Sequence, residues 1–231
     1  MGSLKTLCYT SLVAAALLVA PTVSHALPTA TFELTSDHCS AQTDPVTPPG
    51  CLSGNASAGT ISVTQNAVGD LTFTFTLNAG FFFVHTGFQT DIGFNLAGNP
   101  TITYAANSTG WTPLAGATQN AGSLHMDGTG FFEYGVVCVV CGNGASNKQP
   151  GPISFEITAA GLTLASLEQN ALGQFFAVDV IGPNTNTGAV DASTGTGCGP
   201  ACGDVPEPAP LALLAIGLVA LGGSGWRRRR S

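Results

Sequence analysis

Six cysteines, three histidines and twelve carboxylates lie between Leu27 and Asp204, and their spacing decides which chemistry they can support. Cys138-Val139-Val140-Cys141 has the spacing of a redox pair, and with Cys198 and Cys202 it has the spacing of a four-thiolate zinc site. A redox thiol needs a helix N-terminus or a cation beside it, yet residues 131–137 and Gly142-Asn143-Gly144 read as strand and turn. His38, His85 and His125 stand in no motif with a nucleophile: Gly-x-Ser-x-Gly, His-Glu-x-x-His and a phosphate-binding loop are all absent. His85, following Phe83-Val84, reads as a sheet residue whose hydrogen bonds are met rather than as a base. A glycosidase needs two carboxylates at a defined separation, and Asp127 with Glu133 is one pair to check in space. Asp127-Gly128-Thr129-Gly130 and Gly142 to Asn147 offer oxygen ligands but lack the spacing of a calcium loop, so they read as turns. Tyr104 and Trp111 are close enough in sequence to form a sugar-stacking platform. The expectation is a body with no catalytic residue, no metal and no cofactor.

These side chains are carried by strands. Leu71-Thr72-Phe73-Thr74-Phe75-Thr76-Leu77 alternates large apolar residues with threonine, the period of a half-buried strand. Residues 61–63, 92–96, 102–104 and 153–157 repeat it, each bounded by Gly, Asn, Asp or Pro. No amphipathic helix of 10 to 15 residues stands between them, which predicts an all-β, antiparallel sandwich or jelly-roll-like body. Thr60 to Leu77 reads as a hairpin turning near Asn66 to Asp70, and Gly161 to Asn170 as one short helix or strand. Phe81-Phe82-Phe83, Phe131-Phe132 and Phe175-Phe176 are the candidate core, with some rings facing outward. Leu27 to Leu52 reads as an irregular arm. The domain is bounded at 27–183, and residues 184–204, poor in large apolar side chains, read as a linker.

Both ends fall outside this body. Residues 1–26 carry Lys5, an apolar run from Leu12 to Ala20 and Ser24-His25-Ala26, which predicts a signal peptide cut by signal peptidase between Ala26 and Leu27. At the other end Val205, Pro206, Glu207 and Pro208 precede a charge-free run from Leu211 to Trp226, followed by Arg227, Arg228, Arg229 and Arg230. Sixteen residues rise about 24 Å as a helix, marginal for a hydrocarbon core of about 30 Å, so 211–226 is a minimal transmembrane helix. The arginines would stay on the cytoplasmic side and the body outside. The prolines hold Glu207 in extended chain just beyond the bilayer, where an enzyme can take it as a strand. Export in turn favours disulfides. Short loops point to Cys39 with Cys51, Cys138 with Cys141 and Cys198 with Cys202, among fifteen possible pairings.

Residues 205–231 resemble the PEP-CTERM sorting signal of Gram-negative bacteria: a Pro-Glu-Pro motif, a short apolar span and a terminal arginine cluster, in that order. The resemblance implies recognition and cleavage by an exosortase. An intermediate anchored in the inner membrane would then be released to the cell surface or extracellular matrix. It implies nothing about the fold of the body. Composition narrows the partners further. Charged residues are 8% of the chain, and once both ends are removed Lys148 faces twelve acids, a net charge of −11. Nucleic acid is excluded as a partner, because no basic stripe exists to displace counterions from phosphate. The expected function is that of an exported, non-enzymatic surface or extracellular-matrix protein. A carbohydrate-binding module for the extracellular polysaccharide is the alternative, and a cryptic hydrolase ranks below it.

Overall fold

Threonine outside and phenylalanine inside build the first sheet of the computed structural model, which describes residues 27–39, 50–67, 69–86, 90–114 and 124–196. With strands numbered in chain order, its sequence across the sheet is β16 (Gly195–Thr196), β1 (Thr29–Glu33), β3 (Gly59–Ala67), β4 (Asp70–Leu77), β12 (Ile153–Thr158) and β7 (Thr103–Ala106), all antiparallel. Along β4, Leu71, Phe73 and Phe75 are buried while Thr72, Thr74 and Thr76 face away from the core. The hairpin expected over residues 60–77 is β3 and β4, with an irregular register between Gln65 and Ala67.

The second sheet runs β2 (Ser36–Cys39), β15 (Thr187–Ala192), β14 (Phe176–Ile181), β6 (Ile92–Leu96), β11 (Tyr134–Cys138) and β8 (Trp111–Pro113). Two short strands extend it: β5 (Phe82–Phe83) pairs with β14 and β13 (Leu167–Glu168) pairs with β6. The sheets meet face to face through rings. Phe73 of the first sheet lies 5.2 Å from Phe94 and 6.0 Å from Phe176 of the second, and Phe32 lies 4.9 Å from Phe176. Such ring pairs contribute about 0.5–1.5 kcal/mol each beyond the area they bury.

A third layer follows from small residues. β9 (Leu124–Met126) and β10 (Gly130–Phe132) form a separate hairpin. Its Leu124, Met126 and Phe132 pack on Ala177 and Ala189, on the face of the second sheet turned away from the main core. The approach is close enough to require glycine: a Cβ at Gly93 would sit 2.7 Å from the Phe132 ring and 2.9 Å from Met126 Sδ. Gly93→Val is therefore expected to cost about 1–3 kcal/mol by overpacking and to raise amide exchange across 124–132. Unchanged melting and exchange would show that the hairpin is not seated there.

Three sequence expectations need correction. The arm expected over 27–52 contains β1, an interior strand of the first sheet, and β2, the edge of the second. Its Ala30, Phe32 and Leu34 alternate inward, a pattern too short to stand out among Thr and Pro. The linker expected from Asn184 is sheet as far as Thr196, and β15 lies between β14 and β2 with almost every residue buried. Small residues suit a strand covered on both faces, so low bulk here does not mean absence of structure. The body therefore extends past residue 183 to at least Thr196. Gly161 to Asn170 holds both a 3-10 turn, Leu164–Ser166, and strand β13. Among the described residues no helix is long and apolar enough to cross a membrane. The expected signal peptide, the expected 211–226 span and the sorting motif lie outside the described residues.

Candidate functional site

The titratable groups converge on that same outer face of the second sheet. Alternation along Phe176-Ala177-Val178-Asp179-Val180 points Phe176, Val178 and Val180 into the core, and so turns Asp179 outward with Ala177. Asp91, directly before β6, falls by the same alternation on the side of Gly93. The Asp179 amide donates to the Asp91 carbonyl at 2.8 Å, so two carboxylates stand opposite each other on neighbouring strands. Such partners have Cβ atoms about 4.5–5.5 Å apart, and like charges there are destabilising. Both are buried, Asp91 at 0% exposure and Asp179 at 2%.

Donors around the pair account for its survival. His85 Nδ1 lies 2.6 Å from Asp91 Oδ1, and the Cys138 amide donates to Asp91 Oδ2 at 2.7 Å. Thr86 donates to Asp179 Oδ2 from its amide at 3.1 Å and also from its hydroxyl. Burial raises the Asp91 carboxyl above its ordinary range, against the pull of Cys138 and His85. Burial, reinforced by the charge of Asp91, pushes Asp179 up to about 7 despite the Thr86 hydrogen bonds. A hydrolase would need this carboxylate pair open to a substrate, but it is sealed, and both Asp91 oxygens and Asp179 Oδ2 are engaged by the protein itself.

A second pair repeats the theme nearer the sheet edge. His38 Nε2 stands 2.9 Å from Asp191 Oδ2, with Asp191 fully buried. Burial raises the Asp191 carboxyl and His38 opposes it. The hairpin turn closes over this pair, since a Cβ at Gly128 would meet His38 at 2.7 Å.

Two of the three expected disulfides are present, Cys39–Cys51 and Cys138–Cys141. Cys198 and Cys202 lie outside the described residues. The one group of three candidate metal ligands among the described residues is Asp37, Cys39 and Cys51. Its cysteines are bonded to each other, and the Asp37 carboxylate accepts the amides of Cys39, Cys51 and Leu52 at 3.2, 3.0 and 2.9 Å. That arrangement is a structural clasp. Asp127 and Gly128 form the hairpin turn, whereas Glu133 follows the far end of β10 beside Glu168. Gly142 to Ser146 is closed by its own hydrogen bonds.

The aromatic platform expected from Tyr104 and Trp111 is corrected. Trp111 is 3% exposed and its ring packs on Phe83 at 5.1 Å, so it offers no free face, and Tyr104 stacks on Phe155 at 5.2 Å. Among the described residues the large exposed ring is Phe131, at 54% exposure. Sequence reading did not find the Asp91–Asp179 pair. The signal was there in the strand period, because an acid sharing a face with alanine between two inward valines must lie against the sheet.

The family model described as the PEP-CTERM protein-sorting motif matches residues 204–230. No curated protein and no solved structure matches the chain.

Proposed function

We propose that this chain, whose tail is a PEP-CTERM sorting motif, is an exported, non-enzymatic surface or extracellular-matrix protein cut loose by an exosortase. The motif is the observation that carries the reading. Signal peptidase first frees Leu27 in a Gram-negative cell. The 211–226 span then holds the body outside the inner membrane with Arg227 to Arg230 inside, until cleavage near Pro206-Glu207-Pro208 releases it to the surface or the extracellular polysaccharide. Support comes also from the two disulfides, which suit an oxidising compartment, and from an acidic body that stays soluble and avoids anionic lipid. The sealed carboxylate pair favours a structural over a hydrolytic role. A carbohydrate-binding role now rests on Phe131 rather than Trp111.

Replacing Pro206, Glu207 and Pro208 together by alanine in the producing cell tests the sorting step. The variant is expected to accumulate in the inner-membrane fraction while the wild type is released. Release at the wild-type level would overturn the reading.

A further inference from the structure

Each of the two large sheets ends in two edge strands, and three of the four are protected. β16 is only two residues long. β2 carries Asp37, whose carboxylate folds back onto the amides of Cys39, Cys51 and Leu52. β8 ends in Pro113, which has no N–H to offer. Short length, charge and proline are the usual means of keeping a sheet edge from pairing with another chain. β7, Thr103-Tyr104-Ala105-Ala106, has none of them, and among the described residues no strand lies on its outer side. The Asn107 amide donates to the Ser154 carbonyl at 3.1 Å, and bonded positions alternate along an antiparallel ladder, so Thr103 and Ala105 turn their backbone groups to β12. The N–H and C=O of Tyr104 and Ala106 therefore point off the sheet. Charge is missing from the segment that carries this edge as well: residues 92–126 contain no Asp, Glu, Lys or Arg, in a body whose net charge is −11.

We propose that β7 is an interface between two copies of this chain, which pair their β7 edges antiparallel about a two-fold axis and join two six-stranded sheets into one of twelve. Tyr104 of each copy exchanges N–H···O=C bonds with Ala106 of the other, and Ala105 meets Ala105 on the axis. This register sets each Tyr104 ring, already stacked on Phe155, beside an alanine. Centring the axis on Tyr104 instead would oppose two rings on one face and draw in Ile102, which lies outside β7. Charge selects this edge for a like partner, because two bodies at −11 repel wherever their acids meet. The acid beside the edge is Glu156, opposite Ala105 on β12. Its counterpart in the dimer lies three strand spacings away, about 14 Å, beyond a screening length of ~8 Å. The pairing is isologous, so it consumes both edges and stops at two copies. Nothing in it depends on export or cleavage.

The purified full chain in a neutral detergent is followed by sedimentation from about 1 μM to 1 mM, together with oxidative cross-linking of variants that carry one added cysteine. Association is expected to be reversible and to saturate at two copies. Ala105→Cys is expected to give a disulfide-linked dimer, since residues facing each other in a non-bonded pair stand about 4.5 Å apart at Cα, within disulfide reach. Thr103→Cys, about 14 Å from its mate along the strand, is expected to give no more than the wild type. Ala106→Pro removes an N–H that the dimer uses and β12 does not, and is expected to weaken association at least roughly tenfold. Both cysteine positions are exposed and are expected to melt as the wild type does, so the cross-linking comparison stands even where Ala106→Pro fails to fold. Monomer at every concentration would overturn the proposal, the edge then being covered by the chain itself. Equal cross-linking at the two cysteine positions would overturn it as well, as would a dimer that folded Ala106→Pro leaves unchanged, which would assign association to the 211–226 span or another face.

Discussion

Phe73→Ala is expected to destabilise the body by about 3–5 kcal/mol, a large fraction of the roughly 5–15 kcal/mol that holds an ordinary domain folded. Phe73 is the ring at which the sandwich is joined. It stacks on Phe155 of its own sheet at 5.0 Å and touches Phe94 and Phe176 across the core, all fully or almost fully buried. Truncation removes the transfer energy of the ring and leaves a cavity whose walls are other rings, held by both sheets and unable to close over it. Phe131→Ala, at the exposed ring of the hairpin, is the matched control and is expected to change stability by less than about 0.5 kcal/mol. Equal losses at the two positions would contradict the assignment of core and surface.

The second large effect is a fall in stability as pH rises. Asp179 titrates at about 7 in the folded body against an ordinary 3.8, so between those values the folded state holds a proton that the unfolded chain has released. The contribution is therefore fully present below about 3.8 and lost as pH rises through about 7. At ~1.4 kcal/mol for each pH unit, the gap bounds the loss at roughly 4 kcal/mol. Asp91 and Asp191, also raised by burial, act in the same direction. Asp179→Asn separates the local effect from the general repulsion of an acidic body. Its carbonyl keeps both Thr86 hydrogen bonds, and its amide presents donors where Asp91 would otherwise face a like charge. Denaturation at pH 5 and pH 8.5 is expected to show the wild type losing stability between them and the variant losing much less. Parallel losses in both proteins would show that Asp179 is not the group responsible.

What was legible in advance followed from strict local rules. Alternation in residues 71–77 and 153–157 announced β4 and β12, and short loops announced Cys39–Cys51 and Cys138–Cys141. The failures share one cause, contacts between distant segments that no local pattern states. Gly188, Ala189 and Ala192 look like linker residues because a linker and a tightly covered strand both favour small side chains. Only the packing tells the two apart, the hairpin over Ala189 and the main core against Ala192, and those contacts join residues far apart in the chain. The Asp91–Asp179 pair was hidden likewise, since facing across strands depends on a register that no local pattern states. Trp111 was misassigned because composition gives the size of a ring but not the side of the sheet it takes, and here β8 turns it onto Phe83. The tail needed no fold to be read, being three adjoining segments whose order is the signal.

The central claim is that this body is delivered and then cut free. Intact mass of the protein collected outside the producing cells tests it most directly. The account predicts a species that begins at Leu27, includes β16 through Thr196, and ends before Leu211 without the apolar span or the arginines. A secreted species that begins at Leu27 and still carries Trp226 and Arg227 to Arg230 would contradict it.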